Sequence, residues 1–186
     1  MCNEIAHVAL DLFLKGGFDA TTIDDIVLAA GVGRRTFFRY FETKEAIVLL
    51  PSANFGATVA ELIAERPRTE APIRALEAAF QAALEIYIQN PQRMRELYEL
   101  VDGHPMLRAR HLAQQDEQAP LFAAALAARM RAKAGALAPE LIARVGLVAF
   151  RMAMALWARD PKADLAKTLG ATFAALEETL PLSKRK

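Results

Sequence analysis

One cysteine, Cys2, stands among 186 residues. That excludes a disulfide framework within the chain and any cysteine-built zinc site. There are three histidines, and only Glu4 and His7 have Glu-x-x-His spacing. A di-iron bundle needs two such pairs plus further carboxylates, and no Ser/His/Asp set suggests a catalytic triad. Neither a metal, a cofactor nor catalysis is therefore expected. Nine glycines and nine prolines are too few for a collagen or a flexible linker protein. A net charge of +1 announces no polyanionic partner by itself. The most apolar run, 147–158, contains Arg151 and is shorter than the ~20 residues that cross a bilayer, so no membrane is expected as a partner. The opening segment MCNEIAHVAL has no positive n-region and no unbroken apolar stretch. It is not read as a signal peptide, and a cytoplasmic setting is expected.

What is abundant is apolar and helix-forming. Apolar residues make up 54 % of the chain, and 38 residues are alanine. Mean hydropathy is +0.15, too apolar for a disordered chain. No stretch alternates with the period of a strand, so the expected class is all-α. Helical spacing predicts elements over 3–15, 23–30 and 34–41. A fourth starts after Thr43, is interrupted at Pro51 and resumes through 53–65. Further helices are expected over 72–89, 91–102, 105–134 with a kink at Pro120 and a stop at Gly135, 139–159, and 161–180 before a frayed SKRK tail. Together they make about nine helices.

Charge is unevenly placed. Residues 1–50 hold five basic and seven acidic side chains, yet four of the basic ones fall within 34–44. That patch follows two short helices joined around Gly31-Val32-Gly33, the layout of a helix-turn-helix. Thr22 and Asp25 have the spacing of a capping box, and Thr43 is placed to cap the fourth helix. Ile26, Ala30, Val32 and Phe37 fall where the two helices pack, with Phe41, Leu12 and Phe13 completing a three-helix core. Arg34, Arg35, Thr36, Phe38, Arg39 and Tyr40 are left for the outer side of the second helix. An arginine can bridge guanine O6 and N7, hydroxyls can bind phosphates, and an aromatic edge can touch a thymine methyl. The plain alternative is an amphipathic helix with a solvated charged face.

The run ATTIDDIVLAAGVGRRTFFRYFETKEAI resembles the N-terminal DNA-binding domain of TetR-type transcriptional regulators, and the preceding LFLKGGFDATT fits as well. The resemblance covers residues 5–47 closely and the remainder only in layout. It implies two domains, 1–47 for DNA binding and 48–186 for effector binding and dimerisation. It also implies that Arg34, Arg35, Thr36 and Arg39 face the groove, that Thr22 and Thr43 abut the DNA backbone, and that Lys44 binds a phosphate. Phe38 stands where the family usually has Tyr, so a phosphate-binding hydroxyl is lost there. Tyr40 keeps a polar tip. Val27 stands where such units commonly have Ala, and the usual basic arm before the first helix is missing.

Family layout also assigns the later helices. Helix 139–159 is apolar nearly all round, and Gly146, Ala149 and Ala153 form a stripe of small residues along it. The last helix carries leucines and Phe173 at helical spacing, out to Leu180. A homodimer interface is expected at Leu141, Val145, Ala149, Met152, Leu165, Leu169, Phe173 and Leu176, with a monomer core helix as the other reading. A ligand pocket is expected among Phe80, Leu84, Tyr87, Tyr98, His104, His111, Gln114, Phe122, Phe150, Met154 and Trp157, residues that could equally be plain core. Arg151 needs a partner, and Asp164 or Glu177 is the expected one, with an anionic ligand as the alternative. The function these features imply is a ligand-responsive repressor. It would bind double-stranded DNA as a homodimer on a near-palindromic operator and take a small-molecule effector. A helical adaptor or ligand-binding protein without DNA activity is the second reading.

Overall fold

A computed structural model describes residues 1–50, 54–133 and 135–179. Among them there are ten helices and no strand: α1 (Cys2–Gly16), α2 (Ile23–Ala29), α3 (Arg34–Tyr40), α4 (Lys44–Leu49), α5 (Phe55–Glu65), α6 (Pro72–Tyr87), α7 (Pro91–Gly103), α8 (Pro105–Met130), α9 (Leu137–Arg159) and α10 (Leu165–Thr179). The count exceeds the expected nine because the run from 44 to 65 is two helices. Pro51 between them, Leu180 and the SKRK tail fall outside the described residues.

Several boundaries moved for local reasons. α8 ends at Met130, before Gly135. Arg131 adopts φ 52°. The Ala132 N–H then reaches Ala127 O at 2.9 Å, closing a Schellman turn with an arginine in the usual glycine position. α9 begins at Leu137, with Pro139 inside its first turn, where no amide donor is needed. α10 begins after Asp164, whose carboxylate accepts from the Lys167 N–H at 2.8 Å. Asp160 instead closes a turn onto the Lys162 N–H.

The chain forms two compact units. The first holds residues 1–53 and 90–112, and the second 54–89 and 113–186. The first therefore takes in more than the expected 1–47 segment. Leu97, Val101 and Leu107 add their side chains to the apolar core of Ile5, Phe13, Ile26, Phe37 and Ile47. An ion pair between Arg93 and Asp11 (2.5 Å) joins α7 to α1. That hydrogen bond holds the Asp11 carboxyl below its ordinary range, despite some burial that acts the other way.

In the second unit α9 packs on α10 and α6, and α5 packs on α6. Its core is a cluster of phenylalanines centred on Phe80. That ring stacks on Phe150 at 4.5 Å and meets Phe122 edge-on at 5.6 Å, with Phe173 at 6.2 Å and Phe55 at 6.3 Å. Gly146 lets α9 approach α6. A Cβ built there would sit 2.3 Å from Leu76 Cδ2. The small-residue stripe thus faces inward, since Ala149 and Ala153 are buried too. α9 is long and apolar enough by composition to cross a bilayer, but half of that apolar window is buried within the protein.

Candidate nucleic-acid interface

The helix-turn-helix assembles from satisfied helix ends. Thr22 and Asp25 form the capping box reciprocally: the Asp25 N–H donates to Thr22 Oγ1 (3.1 Å) and the Thr22 N–H to Asp25 Oδ2 (2.8 Å). Hydrogen bonds from the Thr22 hydroxyl and amide hold the Asp25 carboxyl below its usual range. At the other end of α2, the Val32 N–H donates to Val27 O (3.0 Å) and the Gly31 N–H to Leu28 O (3.2 Å). That Schellman turn places Gly31 at φ 64°, which a Cβ resists. Thr43 caps α4 by accepting from the Ala46 N–H at 3.3 Å.

Seven residues of α3 divide cleanly. Phe37 is fully buried and Phe41, just past the helix, is 3 % exposed, so both belong to the core. Arg34, Arg35, Phe38, Arg39 and Tyr40 are exposed, and Thr36 is half-buried. Phe38 shows 46 % of its surface, with its ring set edge-on to Phe37 at 5.4 Å. Arg39 lies against Tyr40, with Cζ 4.8 Å from the ring centroid and Nη2 donating to the hydroxyl at 3.2 Å. The face therefore offers cationic donors, a bare aromatic edge and hydroxyls, the groups that bind phosphate and read base edges.

Two residues expected at this surface are engaged elsewhere. Lys44 donates from Nζ to Phe18 O (2.6 Å), Thr21 O (3.0 Å) and Asp19 O (3.4 Å), and sits 4.4 Å from the Phe18 ring centroid. An ammonium has three donors, and here backbone carbonyls take all three, so the lysine pins the α1–α2 turn to α4 rather than facing outward. Arg34 Nη1 donates to both carboxylate oxygens of Asp24, at 3.0 and 3.1 Å. Asp24 lies ten residues earlier in the chain, and no local spacing rule pairs it with Arg34.

Family models for bacterial regulatory proteins of the tetR family and for the MftR C-terminal domain match residues 5–50 and 70–181. The chain belongs to the TetR family. It is a DNA-binding transcriptional regulator, as are its relatives. A protein named as a candidate mycofactocin biosynthesis transcriptional regulator, MftR, from Mycobacterium tuberculosis is 32% identical over 179 residues, 92% of this chain and 86% of its own length. The regulator TcmR of Streptomyces glaucescens is 32% identical over 133 residues, 68% of this chain and 59% of its own length. Among solved structures, Thermus thermophilus FadR, a TetR-family repressor in complex with lauroyl-CoA, is 25% identical. It aligns over 100% of this chain and 97% of its own, with a TM-score of 0.61. A family member from Syntrophomonas wolfei, 19% identical, shares the fold with a TM-score of 0.71 over 99% of this chain and 96% of its own.

Elsewhere the expected sites are redistributed. Phe80, Leu84, Phe122, Phe150, Met154 and Trp157 are all buried in the second unit. Tyr87 shares a hydrogen bond with Thr58 there (3.0 Å). Tyr98, His104 and His111 belong to the first unit, so the expected pocket set is divided. His104 Nε2 lies 3.1 Å from Asp19 Oδ1, and its ring meets Phe18 edge-on at 5.1 Å. Arg151 pairs with Asp116 at 3.0 Å, not with Asp164 or Glu177. Glu177 is taken by Arg74, which also binds the buried Glu77.

Of the expected dimer residues, Leu169 and Phe173 point into their own core, and Ala149 is 5 % exposed. Leu165 and Leu176 are half-buried. The open apolar stripe on α9 runs instead through Leu141, Val148, Met152 and Leu156, with Val145 half-buried along it. It borders a groove of about 770 Å³ between α9 and α10.

Proposed function

We propose that this regulator represses transcription from the cytoplasm, binding a near-palindromic operator as a homodimer and leaving it when a small-molecule effector binds. Residues 1–47 carry the DNA contact, with 90–112 as their support. The rest of 48–186 carries effector binding and dimerisation. The observation behind the DNA face is the division of α3, with Phe37 buried and Arg35, Phe38, Arg39 and Tyr40 exposed on a capped scaffold. Arg35 and Arg39 supply cationic donors, Phe38 an apolar contact, and Thr36, Tyr40 and Thr43 hydroxyls for phosphates, whereas the Thr22 hydroxyl already donates to Asp25 Oδ2 (2.7 Å).

The stripe of Leu141, Val148, Met152 and Leu156 beside the α9–α10 groove supports a second copy as partner, since an apolar surface of this length wants cover. Two recognition helices would then sit about 34–36 Å apart, or follow a longer spacing if two dimers share a site. The effector site lies with the apolar side chains around Phe80, Tyr87 and Trp157. Lauroyl-CoA, bound by the Thermus relative, is the first effector to try. Likeness to MftR along nearly the whole chain directs the search for target genes to mycofactocin biosynthesis.

Gel shifts test the placement. Arg35→Ala and Arg39→Ala should each weaken operator binding about tenfold or more, while light scattering still gives the mass of two chains. Undiminished operator binding in both variants overturns the DNA face. A solution mass of one subunit at micromolar concentration overturns the dimer.

A further inference from the structure

The start of α2 carries two carboxylates where a DNA-binding surface would gain from none. Asp25 is consumed by the capping box with Thr22. Asp24 is 67 % exposed and carries its own charge outward. Arg34, the first residue of α3, reaches back across the turn and gives one Nη1 to both Asp24 oxygens. Arg39 is folded on Tyr40, and Arg35 alone of the three has no ion pair or hydrogen bond among the described residues.

We propose that Asp24 attenuates DNA binding by cancelling the charge of Arg34, so that Arg34 adds nothing to the phosphate-driven part of the affinity. The inference rests on the reading that α3 faces DNA. Phosphate contact is the sequence-independent part of such binding, growing with each cation that displaces counterions. A guanidinium held by a carboxylate at the same surface displaces none, because the pair is already neutral. The exposed pair is weak in itself, and its consequence is the charge it removes. Non-specific binding is thereby kept low, and the regulator is less readily sequestered on DNA outside its operator. Arg35 then supplies the base contact nearest the start of the helix.

The test uses the full chain and two probes: a duplex enriched by that chain from a randomised library, and a shuffled duplex of the same composition. Affinities are measured across a salt series for the wild type, Asp24→Asn, the double variant Asp24→Asn/Arg34→Gln, and Arg35→Gln. Asp24→Asn should tighten both duplexes by the same factor, about fivefold at 0.15 M salt and about fifteenfold at 0.05 M. The slope of log affinity against log salt should steepen by about one. The double variant should return to the wild-type slope. An unchanged slope in Asp24→Asn overturns the proposal. So does weaker binding of the enriched duplex alone, which would mean that Asp24 aims Arg34 at a base. Arg35→Gln separates the two readings. Its loss of the enriched duplex assigns a failed Asp24→Asn result to attenuation alone, whereas its full retention overturns the DNA face and the attenuation together. Circular dichroism of each variant, with the Thr22–Asp25 cap intact, reports the fold.

Discussion

The two units reach their stability by different means. In the first, α2, α3 and α4 are seven, seven and six residues long, too short to persist as isolated helices. α2 is fixed by its ends, with a capping box and a Schellman turn at Gly31, α4 by a threonine cap and a lysine clasping three carbonyls, and α3, which has no side-chain cap, by its buried Phe37. In the second, α9 runs to 23 residues and α6 to 16, and what fixes them is volume, in a set of phenylalanine rings and a glycine where α6 and α9 meet. A reading head needs side chains held at defined places on a small frame, and caps supply that around a small apolar core. A body of long helices needs an apolar interior, and stacked aromatics supply one.

That contrast can be broken. The largest effect is expected in the body. Phe80→Ala removes the ring that Phe55, Phe122, Phe150 and Phe173 all touch, and should cost about 3–5 kcal/mol of stability, read by urea denaturation. A cost under about 1 kcal/mol would mean that the cluster closes over the gap, and that volume is not what holds the body. Gly146→Ala comes next. Alanine is the better helix former by about 1 kcal/mol, but its Cβ would collide with Leu76. A net loss of about 1–3 kcal/mol is expected, and a gain in thermal midpoint would show that α6 and α9 part freely.

The smallest effect sharpens the comparison from the other side. Thr22→Ala removes one partner of the capping box in the head and should cost about 1 kcal/mol, with Thr22→Ser restoring most of it. If Thr22→Ala cost as much as Phe80→Ala, the division between capped head and packed body would not stand.

Legibility followed the same line. The head could be read from residues because its determinants are local. Thr22 with Asp25, Gly31, and Thr43 with Ala46 each act within three or four positions, and each is found as expected. The burial of Phe37 beside exposed Arg35, Phe38 and Tyr40 follows from helical period. The errors came where partners are distant in sequence. Lys44 was expected on a phosphate, and its donors go to carbonyls some two dozen residues earlier. Arg151 was given Asp164 or Glu177 and took Asp116. In α9 and α10, periodicity marks both helices as apolar but cannot say which side faces in, so Leu169 and Phe173, expected outward, lie in their own core, while Val148 and Leu156 stay exposed.

Composition and spacing were sufficient by themselves for an all-α chain, and with the family resemblance for a helix-turn-helix at residues 22–44 and most of its outward side chains, because caps, glycine turns and helical period act over a few bonds. Tertiary structure alone decided which charges cancel, which apolar stripe stays open and which segment, 90–112, completes the head. Those outcomes depend on distances between residues far apart in the chain, and electrostatics and packing respond to distance in space rather than to order along the backbone.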